Sequence, residues 1–408
     1  MISLNIDYKS IKTELCEIGA KYDVDISSQR VNITDERHSH PYTILYHSIF
    51  KNYRDKPLNI AVISLLNSNS LLMWSEYFPN ANIYGFEYNK EYIDYFKDFI
   101  ADKDKIKLSI IDVRNENSIN EAFEKNNIKY DLIIDDSTHI LEDQVRIIKN
   151  TYKYLKSGGL IIIEDIYKVL NEKEYIECIG NDLIYFKEYF FITVDHVNRN
   201  SSDWNNDKLF LLTKKGIPIF RNNNKITIIT PSIRINNLLE LRKSINFNYV
   251  NEWIIVYDGN KIKENNYLFK NDIHKDKITE YIFKKEGGCS GNPQRNFALD
   301  NIKNKDTYLY FLDDDNLIDN NLYKLLNIID DNKIYTFNQI NRIKGDNIEI
   351  YKIDTAMFLI DYNLCKDIRW ILDKYNADGH YIKDCYLKNN DKWIYVDNDL
   401  CSYNLISK

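Results

Sequence analysis

The stretch "YLYFLDDDN" at residues 308–316 runs five apolar or aromatic residues into three consecutive aspartates, Asp313, Asp314 and Asp315, and then Asn316. Adjacent carboxylates repel one another and are costly to bury unless water or a cation neutralises them. They are also hard oxygen ligands for Mg²⁺ or Mn²⁺, and an ion held that way can neutralise a diphosphate leaving group. An acidic turn or a helix cap uses the same residue types. What distinguishes the readings is whether other polar residues converge on the same strand end.

Strand ends are what the rest of the chain has to supply. From Leu58 onward, "LNIAVI", "NIYGFE", "KLSII", "YDLIID" and "GLIIIE" alternate with amphipathic stretches, which predicts parallel strands covered by helices on both faces. "YFFITV" and "KLFLLT" then follow without a helix between them, predicting an antiparallel pair at the sheet edge. The polar segment "TKKGIPIFRNNNK" separates this half from a second alternation that begins at "ITIITPS". We therefore expect a domain at 1–215, a linker at 216–224 and a second domain at 225–408. In the second half "NEWIIVYDG" and "TYLYFLDDD" are further buried strands, each ending in acid, and ligands collect beyond the carboxyl ends of such strands.

Bulk properties narrow the classes. The chain has 408 residues, 44% hydrophobic and 28% charged, with a net charge of -7, which speaks for folded domains and against a surface that coats nucleic acid. No apolar run approaches the roughly 18 residues that span a bilayer, and the start "MISLNIDYKS" lacks a signal-peptide core. A cytoplasmic protein is expected, its six scattered cysteines reduced, with homo-oligomerisation left open.

Residues 225–408 resemble inverting glycosyltransferases of the GT-A fold, the family 2 type, through "TPSIR", "EWIIVYDG", "GNPQRNFALD" and "FLDDDN" in that order. The resemblance implies a nucleotide-sugar donor, UDP-linked, and a glycan acceptor. Pro231, Arg234, Asp258, Arg295, Asp313 and Asp314 would line the donor, with Asp258 at the base, Arg295 at the diphosphate, and Asp313 and Asp314 on the ribose side. Asp315, with Asp313, would hold Mn²⁺ or Mg²⁺. An inverting enzyme needs a carboxylate to take the acceptor proton, and the pattern places it at Asp378 in "YNADGHYIKD", with Asp373 and Asp384 as competitors. His380 could touch the diphosphate or the metal.

The first half is similar to the sugar O-methyltransferases that decorate macrolide antibiotics, a class I, Rossmann-like family dependent on S-adenosylmethionine. "TDERHSHPYTILYHSIF", "LLMWSEYFPNANIYGFEYN", "YDLIIDDSTHILEDQ" and "LKSGGLIIIEDIY" carry the likeness. It implies that Glu87 binds the cofactor ribose, that Asp136, Glu164 and Asp165 hold Mg²⁺, and that His139 is the base for a sugar hydroxyl. The residue types suit that chemistry, because oxygen ligands at adjacent strand ends can position a vicinal diol and imidazole titrates near neutrality. Ser64, Ser68, Asn69 and Asp112 complete the implied cofactor contacts. The departure is the loop "AVISLLNSNSLLMW", in a stretch from 20 to 84 without glycine, where the family has glycines and has an acid in place of Val62.

Taken together, the expected protein is an α/β chain of two domains, a methyltransferase-like fold followed by a GT-A fold, with both activities. A glycosyltransferase carrying an inactive methyltransferase-like docking domain and a non-catalytic glycan-binding scaffold are the alternatives.

Overall fold

The computed structural model describes residues 1–408 apart from 8–10, 28–38, 66–68, 101–103, 198–204, 221–223, 262–266, 404, 407 and 408. The chain divides into two compact units, Met1–Arg221 and Asn222–Lys408.

The first unit runs β1 (Ile2–Asp7), α1 (Glu14–Lys21), α2 (Tyr42–Phe50), β2 (Asn59–Ile63), α3 (Asn69–Tyr77), β3 (Asn82–Glu87), α4 (Lys90–Phe99), β4 (Ile106–Ile110), α5 (Glu116–Lys125), β5 (Tyr130–Asp135), α6 (Leu141–Thr151), β6 (Leu155–Ile163), α7 (Glu172–Ile179), β7 (Phe186–Val197) and β8 (Lys208–Lys214). Its strand order is β1-β7-β8-β6-β5-β2-β3-β4. β6, β5, β2, β3 and β4 are parallel, while β8 is antiparallel to both β6 and β7. All of β5 is buried, which is why "YDLIID" shows no alternation: helices cover both faces. Side chains of Asn89 and Asn115 accept from backbone N–H groups at the starts of α4 and α5 and so fix where those helices begin.

The antiparallel pair β7–β8 does not lie at the edge. β1 pairs parallel to β7 outside it. Its alternation buries Ile2, Leu4 and Ile6, a period-two pattern too short to stand out against a polar chain start.

The second unit runs β9 (Ile226–Ser232), α8 (Asn237–Ser244), β10 (Val250–Asp258), β11 (Ile278–Phe283), α9 (Asn292–Asp300), β12 (Tyr308–Phe311), β13 (Leu317–Ile318), α10 (Asn320–Leu326), β14 (Ile334–Gln339), β15 (Phe358–Asp361), α11 (Tyr362–Cys365), α12 (Ala377–Lys388) and β16 (Trp393–Ser402). The order is β11-β10-β9-β12-β15-β14-β16, with β13 on β16. β11, β10, β9 and β12 are parallel, and β15 is antiparallel to both its neighbours.

In each unit the strand order reverses beside one parallel strand. β2 has β3 on one side and β5 on the other; β9 has β10 and β12. Such a reversal opens a crevice beyond the carboxyl ends of the strands. Among the described residues no helix is long and apolar enough to cross a membrane.

Candidate active sites

In the second unit the reversal opens into a cavity of about 480 Å³ lined by Pro231, Arg234, Asp258, Arg295, Asp313, Asp314, Asp315 and Asp378. The aspartates after β12 take different partners. Asp314 Oδ2 accepts from Ser232 Oγ and from the backbone N–H groups of Ile233 and Arg234, each at 2.9 Å, tying the end of β12 to the loop after β9. The Arg234 guanidinium donates to Asp315 and lies 3.1 Å from Asp314. Arg295 donates to Asp313. The charges facing the aspartates are therefore two arginines of the chain itself.

Arg295 is 3% exposed and braced on several sides. It donates to Ser290 O at 2.6 Å and to Asn292 Oδ1 at 3.2 Å, with its guanidinium 4.6 Å from the Trp370 ring centroid. Gly291, at φ 78°, makes the approach of this loop to β9 feasible, since a Cβ there would stand 2.7 Å from Pro231 Cβ. Asp258, at the end of β10, accepts from Asn260 N at 3.0 Å and lies 3.6 Å from Lys285 Nζ.

Asp378 sits in the first turn of α12, whose N-cap is Asn376. Burial, together with the carboxylate of Asp354, pushes its carboxyl up to about 7 against the opposing hydrogen bond from Gly379 N–H. Asp373 and Asp384 are exposed, and neither they nor His380 lines the cavity. His380 Nε2 lies 3.4 Å from Lys374 Nζ. Asp354, Arg342 and Trp370, which also line the cavity, carry no motif and were not singled out from the sequence; Arg342 donates to Asp354 at 2.7 Å.

In the first unit three of the predicted residues converge. Asp136, His139 and Asp165 each place one ligand atom within 4.8 Å of the others. His139 Nε2 lies 3.2 Å from Asp136 Oδ1 and 3.7 Å from Asp165 Oδ2. Both His139 and Asp165 have left-handed backbone, at φ 58° and 55°, the sort of strain that loops hold where side chains must be aimed. Glu164 is buried and turned to the Tyr46 hydroxyl, outside this group of three, though it lines the same small cavity as Asp136. Burial, then repulsion from Asp165, holds the Asp136 carboxyl well above the ordinary range. Burial raises Asp165, but His40, His139 and the Tyr42 hydroxyl together outweigh it and keep that carboxyl low. His40, Tyr42, Tyr46 and Asp207 surround the cluster; the first three fall within "TDERHSHPYTILYHSIF", one of the stretches that carry the family likeness, and Asp207 falls in none. The i, i+4 spacing of Tyr42 and Tyr46 sets both on one face of α2.

The predicted cofactor residues lie along the same strand ends. Glu87 is buried at the end of β3, and its two oxygens accept from Leu65 N and Asn89 N, each at 3.0 Å. Ser64, at φ 70°, follows β2 and donates its backbone N–H to Phe86 O at 2.8 Å. Asn69 opens α3, and Ser68 lies outside the described residues. Asp112 takes a two-pronged hydrogen bond from Arg114, at 2.8 and 3.2 Å, which holds its carboxyl below the ordinary range. Ser64, Leu65, Ser70 and Trp74 help to bound a cavity of about 40 Å³ that Asp136 and Glu164 also line.

Residues 67–218 match the family model described as a methyltransferase domain. The N-terminal unit thus carries a methyltransferase domain, α/β and Rossmann-like with a mixed sheet. Among curated proteins the chain is similar to the 8-demethyl-8-(2-methoxy-alpha-L-rhamnosyl)-tetracenomycin-C 3'-O-methyltransferase of Streptomyces olivaceus, 25% identical over 135 residues, covering 31% of this chain and 33% of that enzyme. It is also similar to the mycinamicin VI 2''-O-methyltransferase of Micromonospora griseorubida, 24% identical over 160 residues, covering 35% of this chain and 37% of that enzyme. The chain spans about a third of the length of these relatives. Among solved structures it is similar to the MycE methyltransferase from the mycinamycin biosynthetic pathway in complex with Mg and SAH, with 19% identity and a TM-score of 0.35 over 52% of this chain and 58% of that one. The fibrillarin of Aeropyrum pernix in complex with S-adenosyl-L-methionine follows, with 15% identity and a TM-score of 0.31 over 39% of this chain and 67% of that one.

Proposed function

We propose that the chain is a bifunctional glycan-modifying enzyme: a sugar O-methyltransferase using S-adenosylmethionine, followed by a metal-dependent, inverting glycosyltransferase using a nucleotide-sugar donor. The observation that carries the second activity is the 480 Å³ cavity, which holds Asp378 in the same chamber as Asp313–Asp315 and Arg295. A carboxylate titrating near 7 suits removal of a proton from an acceptor hydroxyl. Arg234 and Arg295 bring guanidinium forks that match the oxygens of a diphosphate. Mn²⁺ or Mg²⁺ would be held by Asp313 and Asp315, whose hard oxygens fit it, and would neutralise diphosphate charge. Asp314 keeps the loops together, its carboxylate being committed to β9.

The methyltransferase reading is supported by the domain match and by relatives named as O-methyltransferases of rhamnosyl-bearing tetracenomycins. Asp136 and Asp165 would hold Mg²⁺, with Glu164 beside them, and the ion would fix and acidify a sugar hydroxyl. Hard carboxylate oxygens suit such an ion, and carboxyls raised by burial and mutual repulsion gain from its charge. His139 would take the hydroxyl proton.

A second reading, an N-terminal unit that docks but does not catalyse, is favoured by the stretch from 20 to 84 without glycine, which puts side chains where a cofactor loop needs close backbone approach.

The test uses the full chain with Mn²⁺ and a panel of UDP-sugars, measuring UDP release with and without sugar acceptors. Release above that of an Asp315→Ala, Asp378→Asn double variant supports the transferase. No release above that level from any donor overturns it. A thermal shift with S-adenosylhomocysteine separates an active N-terminal unit from a docking one.

A further inference from the structure

Asp165 is held from behind by a buried chain of polar groups. His40, just before α2, is 5% exposed, and Asp207, just before β8, is fully buried. His40 Nδ1 lies 2.6 Å from Asp207 Oδ1, and Nε2 lies 3.2 Å from Asp165 Oδ2. A carboxylate faces each ring nitrogen, so the ring is held at both ends. The other oxygen of Asp165 accepts from the Tyr42 hydroxyl at 2.8 Å, and the Tyr42 ring stacks on His40 with centroids 4.9 Å apart. Each Asp165 oxygen is therefore pinned by one donor and keeps a lone pair for something else.

A buried Asp-His-Asp row is a poor way to stabilise a fold, because apolar side chains of similar volume do as well or better. What the row achieves is direction. The Oδ2 that His40 holds is the atom lying 3.7 Å from His139 Nε2 in the three-residue cluster. We propose that His40, fixed by Asp207, is the positioning residue that aims Asp165 at a divalent cation shared with Asp136. This rests on reading the cluster as a metal site. Outer partners of this kind orient metal ligands, and their loss typically weakens metal affinity by about 10–100-fold.

The test titrates Mn²⁺ into the full chain and follows loss of the free-ion signal by electron paramagnetic resonance. An Asp313→Ala, Asp315→Ala background silences the other unit. The parent should bind one ion and Asp136→Asn should abolish that binding. His40→Ala should weaken binding by about 10–100-fold while melting cooperatively. Asp207→Asn, which keeps an acceptor for Nδ1–H, should bind more tightly than Asp207→Ala. A folded His40→Ala that binds Mn²⁺ like the parent overturns the proposal and leaves the metal reading standing. A parent that binds no Mn²⁺ overturns the metal reading and this inference with it. If His40→Ala does not fold, the Asp207 pair decides: parent-like affinity in a folded Asp207→Ala overturns the role.

Discussion

A carboxyl moved from its ordinary 3.8 to about 7 by burial is half protonated at neutral pH, and this sets two signs at once. As a base, Asp378 works only when ionised, so sugar transfer should rise about tenfold per pH unit below 7 and level off above it. For stability the direction is opposite. The folded value lies above the unfolded one, so the contribution of the neutral form is complete below about pH 4 and is lost as pH rises through 7. Asp378→Asn, permanently neutral, should lower transfer by about 10²-fold or more and melt above wild type at pH 8 but not at pH 4. Wild-type transfer by this variant removes Asp378 from the role and makes Asp354 the next carboxylate to test. Neither Asp354 nor the His40–Asp207 pair was legible in the sequence, because their meaning comes from contacts across many residues, 167 in the case of His40 and Asp207. The run at 313–315 was legible as a charge problem; that Arg234 and Arg295 answer it in the folded chain was not.

At the scale of elements, two loops test how closely backbone must approach a ligand. Ser64 leaves β2 at φ 70°, a conformation that costs a non-glycine residue on the order of 1–3 kcal/mol, against about 0.5–1 kcal/mol for glycine's extra freedom when unfolded. Ser64→Gly should therefore raise the melting temperature slightly and tighten S-adenosylhomocysteine binding several-fold in calorimetry. A lower melting temperature would show that the Ser64 conformation is not strained. Gly291 poses the reverse case, since its added Cβ meets Pro231 at 2.7 Å with φ at 78°. Gly291→Ala should cost about 1–3 kcal/mol and weaken UDP binding, because β9 and α9 must part where the arginines and aspartates meet. Unchanged melting and UDP affinity would mean that the loop yields freely. The strands leading to both loops were readable as uninterrupted apolar runs. β11 was not, its six residues being only half buried, and neither was β15, which has four residues.

For the whole molecule, two rounds of strand–helix alternation were visible because the second restarts at "ITIITPS" after a polar segment with three consecutive asparagines. Which site does what is a question that each unit has to answer alone. The acidic constellations at 313–315 and at 136–165 lie in different units, and the apolar core around β2, β5 and β6 draws only on the first. Asp315→Ala should abolish sugar transfer without unfolding the second unit, because Arg234 keeps Asp314 at 3.1 Å as a partner and Asp314 still binds the loop after β9. The same protein should methylate at the wild-type rate. Asp136→Asn should give the mirror image, with methyl transfer lost and sugar transfer kept, since it removes a charge from a cluster already crowded with carboxyls. EDTA should silence both reactions and Mn²⁺ or Mg²⁺ restore them. The measurement is paired: methyl incorporation from labelled S-adenosylmethionine and UDP release, on one preparation of each variant. Loss of both activities from either single variant would mean that the two reactions share a site, and the division of labour between the units would be wrong. Intact sugar transfer in Asp315→Ala, or in EDTA, would remove the metal from the second site and leave Arg234 and Arg295 to carry the diphosphate charge by themselves.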